Sequence, residues 1–227
     1  MTQKERAAAA AVAMVRNGMT VGLGSGSTAK IFIDLLGAEV QAGRIKDIRG
    51  IPTSVASGKQ GAALGIPIVD FVAAPRCDLT IDGADEVTDD LTLIKGLGGA
   101  MLREKLVAQN SDRLVIIADA GKRVKRLGTK APVPVEVVQF SHEATERFLR
   151  SLGCNPVLRP ALSGGGHYVT DNGNYIYDCH FANGVDDAAA LDRSLRERAG
   201  VVETGLFVGI AAEAIIAGDT DIERLKR

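Results

Sequence analysis

Apolar and polar positions follow two different periods along the first 130 residues. Short apolar runs, "MTVGLG" (19–24), "IRGI" (48–51), "CDLTID" (77–82) and "RLVIIAD" (113–119), read as strands. Between them lie segments with helical spacing at 27–43, 54–65 and 99–110. The run "RLVIIAD" is apolar enough to be buried on both faces. Strands separated by helices predict a Rossmann-like α/β domain, a mainly parallel sheet with helices on both faces. In such sheets ligands bind outside the carboxyl ends of the strands. The opening "MTQKERAAAAAVAMVRNGM" reads as a capped helix of roughly three turns and not as a signal peptide, because charges precede its alanine run and Arg16-Asn17-Gly18 follows it.

Beyond residue 130 the texture changes. Prolines at 132 and 134 interrupt "TKAPVPVEVV", and "SHEATERFLRSLG" reads as a helix ended by Gly153. The stretch 167–181, "HYVTDNGNYIYDCHF", predicts two strands joined at Asp171-Asn172-Gly173-Asn174. A helix, "DDAAALDRSLRER", then precedes a strand at 200–209. These signals divide the chain into an α/β domain of residues 1–130 and 200–227 and a small α+β domain of residues 131–199, with the chain returning to the first sheet near 200.

Composition narrows the function without naming it. Hydrophobic residues at 46% and charged residues at 24% suit an ordinary globular core. A net charge of −1 leaves no footprint for nucleic acid or an anionic membrane. Cys77, Cys154 and Cys179 are odd in number and form no CxxC, which points to a reducing cytoplasm and neither a disulfide framework nor zinc.

The loop "GLGSGSTAK" (22–30) lies between a strand and a helix, where glycines let an anion approach backbone N–H groups. Ser27 or Thr28 is placed to cap the helix, whose N-terminus favours a phosphate. A P-loop would need Gly-Lys-Ser/Thr where Ala29-Lys30-Ile31 stands. The dinucleotide pattern G-x-G-x-x-A does fit, but the second strand ends in "GIPTS" with no carboxylate for a ribose.

The segment 79–105, "LTIDGADEVTDDLTLIKGLGGAMLREK", crowds Asp82, Asp85 and Glu86 behind a strand. Read plainly this is a polar turn. The spacing is wrong for an EF-hand, and His142, His167 and His180 share no ligand spacing, so no metal is expected. With Lys95 opening a glycine-rich loop and Glu104 early in the next helix, the set suits a sugar phosphate: carboxylates for hydroxyls, a phosphate cradle, and proton transfer beside a carbonyl. Glu104 would be the base, and Lys95 or helix N–H groups would stabilise an enediolate. A glutamate base acting on a phosphorylated sugar has a precedent in triosephosphate isomerase.

The motifs "GLGSGSTA", "PTSVAS", "TIDGADEV", "LIKGLGGAMLREK", "IADAGKRVKRLG", "PVPVEVV", "TDNGN" and "GVVETGLF" stand in the order found in type A ribose-5-phosphate isomerases, and the chain resembles that family along essentially its whole length. The resemblance implies a metal-free, cofactor-free aldose–ketose isomerase of the pentose phosphate pathway, interconverting ribose 5-phosphate and ribulose 5-phosphate, a homodimer or homotetramer in the cytoplasm. It places the general base on Glu104. Asp82 and Asp85 would orient hydroxyls and help open the furanose ring, with Lys95 beside the reacting oxygens. It puts the phosphate loop on Ser25, Gly26, Ser27 and Thr28, and further substrate contacts on Gly83, Ala84, Gly96, Leu97, Gly98 and Lys122. Leu97 replaces a glycine of some members and so would act through its backbone, and Lys4 corresponds to a phosphate-reaching lysine of some relatives.

Two rivals remain from the residues alone. A coenzyme A transferase-like enzyme would use a glutamate as nucleophile. A sugar-phosphate-sensing domain would be expected to carry a helix-turn-helix or a basic patch, and neither is legible.

Overall fold

The computed structural model describes residues 1–161 and 164–227. Its elements begin with α1 (Gln3–Val12), β1 (Thr20–Leu23), α2 (Ser27–Gln41), β2 (Arg49–Pro52), α3 (Val55–Ala63), β3 (Leu79–Gly83), β4 (Glu86–Val87), β5 (Leu93–Ile94) and α4 (Met101–Gln109). After these come β6 (Leu114–Asp119), β7 (Val133–Val137), α5 (His142–Ser151), β8 (Asn155–Leu158), β9 (Tyr175–His180), α6 (Ala188–Arg196), β10 (Val201–Thr204), β11 (Leu206–Phe207), β12 (Glu213–Ala217) and β13 (Ile222–Lys226). The described residues pack as two compact units, Met1–Ala84 with Arg103–Arg123 and Gly209–Arg227, and Asp85–Leu102 with Val124–Val208.

The first unit holds a six-stranded sheet in the order β13-β12-β6-β3-β1-β2, parallel except for β13. Leu114–Ala118 of β6 are buried throughout, as a strand covered on both faces requires. The expected N-terminal helix forms behind a capping box. Thr2 Oγ1 accepts the Glu5 N–H at 3.2 Å, and Glu5 Oε2 accepts the Thr2 N–H at 2.7 Å. The buried alanines Ala7, Ala8 and Ala11 let α1 lie close to α2 and β6.

The second unit holds a four-stranded antiparallel sheet, β10-β7-β9-β8, and a three-stranded sheet, β11-β5-β4. Val133, Val135, Val137, Leu149, Tyr177 and Leu195 belong to its core. Three expectations change here. The stretch 167–170 is no strand paired with β9: Thr170 and Asn174 do close the turn at 2.9 Å, but β9 pairs with β7 and β8. The strand expected at 200–209 breaks at Gly205, where a Cβ would overlap the Lys95 carbonyl and the Pro134 ring. Its halves therefore enter different sheets, and the return to the first sheet falls to β12, paired with β6. Because β4 and β5 pair with β11, residues 85–102 pack with the second unit, as do 200–208, a different division from the 130/131 and 199/200 boundaries.

Candidate functional site

In the first unit, parallel pairing sets Leu23 opposite Ile81, so the loop after β1 and the end of β3 leave the sheet together. Gly24 donates its N–H to the Ile81 carbonyl at 3.0 Å, and a Cβ at Gly24 would overlap that carbonyl and the Asp82 carboxylate. Asp82, 1% exposed, accepts the Ser25 N–H at 2.9 Å and the Gly83 N–H at 2.7 Å on Oδ1. Ser25 Oγ hydrogen-bonds Thr53 Oγ1 and Ser54 Oγ, both at 2.8 Å, and Thr53 Oγ1 donates to the Leu23 carbonyl at 3.0 Å. Ser25 thus braces the loop after β1 against the end of β2. Thr53 and Ser54 were not singled out from the sequence; the cue available was the serine pair Ser54 and Ser57, which forms a capping box at the start of α3.

Neither Ser27 nor Thr28 caps α2. The N-cap is Gly26, at φ +94° with no side-chain hydrogen bond, a conformation that favours glycine. Ser27 is the first helical residue and Thr28 is buried behind it. With no side-chain cap, the helix N-terminus is suited to an anion. A cavity of about 240 Å³ opens there, lined among others by Gly24, Ser25, Gly26, Ser27, Lys30 and Ser54. Lys4 Nζ donates to Ser27 Oγ at 2.9 Å, so α1 brings a cation to the same loop. At the end of β6, Lys122 closes a single 3₁₀ turn, and Ala120 N–H donates to Gln3 Oε1 at 3.2 Å. Glu104 stands in the first turn of α4 and is 4% exposed.

The second unit carries Asp85 and the loop from Lys95 to Gly99. Asp85 N–H donates to the Ile94 carbonyl at 2.8 Å, and Asp85 Oδ2 accepts the Leu97 N–H at 3.0 Å. Lys95, 2% exposed, donates its backbone N–H to Gly205 at 2.9 Å and places Nζ 5.4 Å from the centre of the Phe207 ring. Gly96 and Gly99 take φ of +103° and +79° and close a turn through the Gly99 N–H and Gly96 carbonyl at 2.9 Å. Leu97 has an exposed side chain and an engaged backbone. Glu86 faces elsewhere, accepting the N–H groups of Gly128, Lys130 and Ala131 at 2.6, 2.5 and 2.8 Å. Each of the acids crowded in the sequence, Asp82, Asp85 and Glu86, accepts its own backbone N–H groups, which stabilise a carboxylate. Among the described residues no group of three or more His, Cys, Asp or Glu is arranged to hold a metal ion, and no helix is long and apolar enough to cross a membrane.

A glycine loop opening a cavity at the carboxyl edge of a parallel sheet, braced by a buried aspartate, defines an α/β protein built to seat a small anionic molecule. The family model for ribose 5-phosphate isomerase A (phosphoriboisomerase A) matches residues 49–221. Ribose-5-phosphate isomerase A of Synechococcus sp. (strain JA-3-3Ab) is 48% identical over 225 residues, covering 99% of this chain and 96% of the relative. That of Parvibaculum lavamentivorans is 47% identical, covering 97% and 96%. A solved ribose 5-phosphate isomerase A from Methanocaldococcus jannaschii superposes with a TM-score of 0.94 at 36% identity, covering 99% of this chain and 98% of that one. A D-ribose-5-phosphate isomerase solved in complex with phospho-erythronic acid superposes at 0.96 with 35% identity and the same coverage. The chain belongs to the ribose 5-phosphate isomerase A family. It is an aldose–ketose isomerase of the pentose phosphate pathway that interconverts ribose 5-phosphate and ribulose 5-phosphate.

Proposed function

We propose that the isomerisation runs by proton transfer through an enediolate, with Glu104 as the general base that moves one proton between C1 and C2. The observation that carries this reading is Glu104 itself, a carboxylate in the first turn of α4 that is only 4% exposed. Asp82 and Asp85 orient the sugar hydroxyls and assist ring opening, and Lys95 stabilises charge on the reacting oxygens. The substrate phosphate occupies the cavity at Gly24–Ser27, drawn by the N-terminus of α2, by the Ser25–Thr28 backbone and by Lys4. Gly83, Ala84, Gly96, Leu97 and Gly98 supply backbone contacts, and Lys122 a further cation. The enzyme works without a metal or cofactor as a homodimer or homotetramer in the cytoplasm, a compartment that suits three free, buried cysteines.

The test is turnover of ribose 5-phosphate by metal-stripped enzyme in deuterated water, followed by NMR. Deuterium entering C1 or C2 supports proton transfer by a protein base. Turnover without exchange favours hydride shift or a fully shielded proton. Loss of turnover on stripping, restored by a metal, removes the metal-free reading.

A further inference from the structure

The Lys95–Gly99 loop contains three glycines, two of them at positive φ, and by itself has many conformations open to it. In the structure its three consecutive carbonyls, Gly96, Leu97 and Gly98, are all taken by side chains more than sixty residues away. Arg159 Nη1 donates to Gly96 O and Leu97 O, each at 3.1 Å. Tyr168 Oη donates to Gly98 O at 3.4 Å. Tyr168 also lies against the guanidinium, its ring centre 5.7 Å from Arg159 Cζ, and fills the space that a Cβ at Gly99 would need.

Arg159 is itself fixed. Its Nε and Nη2 donate to Asp178 Oδ2 and Oδ1 at 2.9 and 2.5 Å, a bidentate fork in which both side chains are largely buried, 11% and 16% exposed. Asp178 lies in the middle of β9, and Arg159 directly follows β8 on the neighbouring strand. The antiparallel sheet thus supplies a rigid base for a flexible loop. The Gly96–Leu97 peptide is gripped at both ends, its N–H by Asp85 and its carbonyl by Arg159.

A buried ion pair is weak evidence of a stabilising role, because desolvation offsets most of its attraction. Arg159 also directs its Nη1 at two loop carbonyls, which a pairing made for the sheet alone would not require. We propose that Arg159, oriented by Asp178, is a positioning residue for the isomerisation: it fixes the Lys95–Gly99 loop in the geometry the reaction needs. The inference rests on the reading that Lys95 and this loop act on the sugar. A loop misplaced by about 1 Å costs on the order of 10²-fold in rate.

The experiment compares kcat and KM for ribose 5-phosphate in Arg159→Ala, Arg159→Lys, Asp178→Asn and Lys95→Ala, each assayed well below its own melting temperature. The expected result for Arg159→Ala is a kcat lowered roughly 10- to 10²-fold with KM changed only a few-fold. Arg159→Lys keeps the charge but loses the fork, so it should recover thermal stability and not kcat. Asp178→Asn keeps the shape of the pair and should lose kcat by a smaller factor. Wild-type kcat in folded Arg159→Ala, or full rescue of kcat by lysine, overturns the proposal. If Arg159→Ala does not fold, wild-type kcat in both Arg159→Lys and Asp178→Asn overturns it equally. An inactive Lys95→Ala beside active Arg159 variants isolates the failure to the positioning role, whereas a fully active Lys95→Ala removes the reading of the loop beneath it.

Discussion

Asp82 near the end of β3 and Ser25 in the loop after the neighbouring parallel strand β1, 57 residues apart in the chain, are joined by a 2.9 Å hydrogen bond from the Ser25 N–H to Asp82 Oδ1. That bond ties the glycine loop to the end of β3, and Gly24 is the residue that allows the approach. Gly24→Ala should force the strands apart, with a loss of about 1–3 kcal/mol typical of overpacking. Urea denaturation reads the stability, and a raised KM for ribose 5-phosphate should accompany it. A variant with wild-type stability and KM would contradict this account of the loop.

Glu104→Gln removes the base and keeps its shape. Its kcat should fall roughly 10²- to 10⁴-fold with KM little changed. A near-normal kcat would assign the proton transfer to another group.

Glu86 offers a contrast, since it touches three backbone amides and no proposed substrate contact. Glu86→Ala leaves those buried donors unmet and should destabilise the enzyme by about 3 kcal/mol or more. At a temperature where the variant stays folded, kcat should lie close to wild type. A large fall in kcat without a fall in melting temperature would show that Glu86 belongs to the chemistry.

Asp90 closes the turn from Thr88 to Thr92. The Thr88 hydroxyl holds its carboxyl below the ordinary value; burial opposes it, and the Thr92 amide and hydroxyl add smaller support. A lowered folded value means that the stabilisation is complete above the unfolded value of about 3.9 and fades as pH falls through the folded one. The melting-temperature advantage of wild type over Asp90→Asn should therefore be steady above about pH 5 and shrink in more acid solution. An advantage that stays constant down to acid unfolding would disprove it.

The parts of the site legible in the sequence are those whose chemistry is local. The glycine loop sits within one strand–helix turn, and Asp82, Asp85, Lys95 and Glu104 fall within 23 residues. A strand end, a loop of glycines and a helix start need no distant partner to be recognised. Thr53 and Ser54 were harder to see, because their importance lies in a hydrogen bond to Ser25, nearly thirty residues upstream. Arg159, Asp178 and Tyr168 gave no signal at all. Each is an ordinary polar or aromatic residue until the sheet sets it beside the Lys95–Gly99 loop.

The stretch 167–181 shows the same limit in the fold. Its alternation and its Asn-Gly turn are both real, and Thr170 and Asn174 do close a turn. Period-two patterning states only that a segment can pair; it does not name the partner. The partner of β9 was settled by β7 and β8, which bring apolar faces that close the second core. By itself the sequence determined the α/β class, the buried central strand, the glycine-rich turn between β1 and α2 and the family, because periodicity, glycine placement and motif order are written along the chain. Tertiary structure alone decided where residues 85–102 pack, which strands flank β9 and what grips the Lys95–Gly99 loop, because those outcomes depend on surfaces that distant parts of the chain bring together.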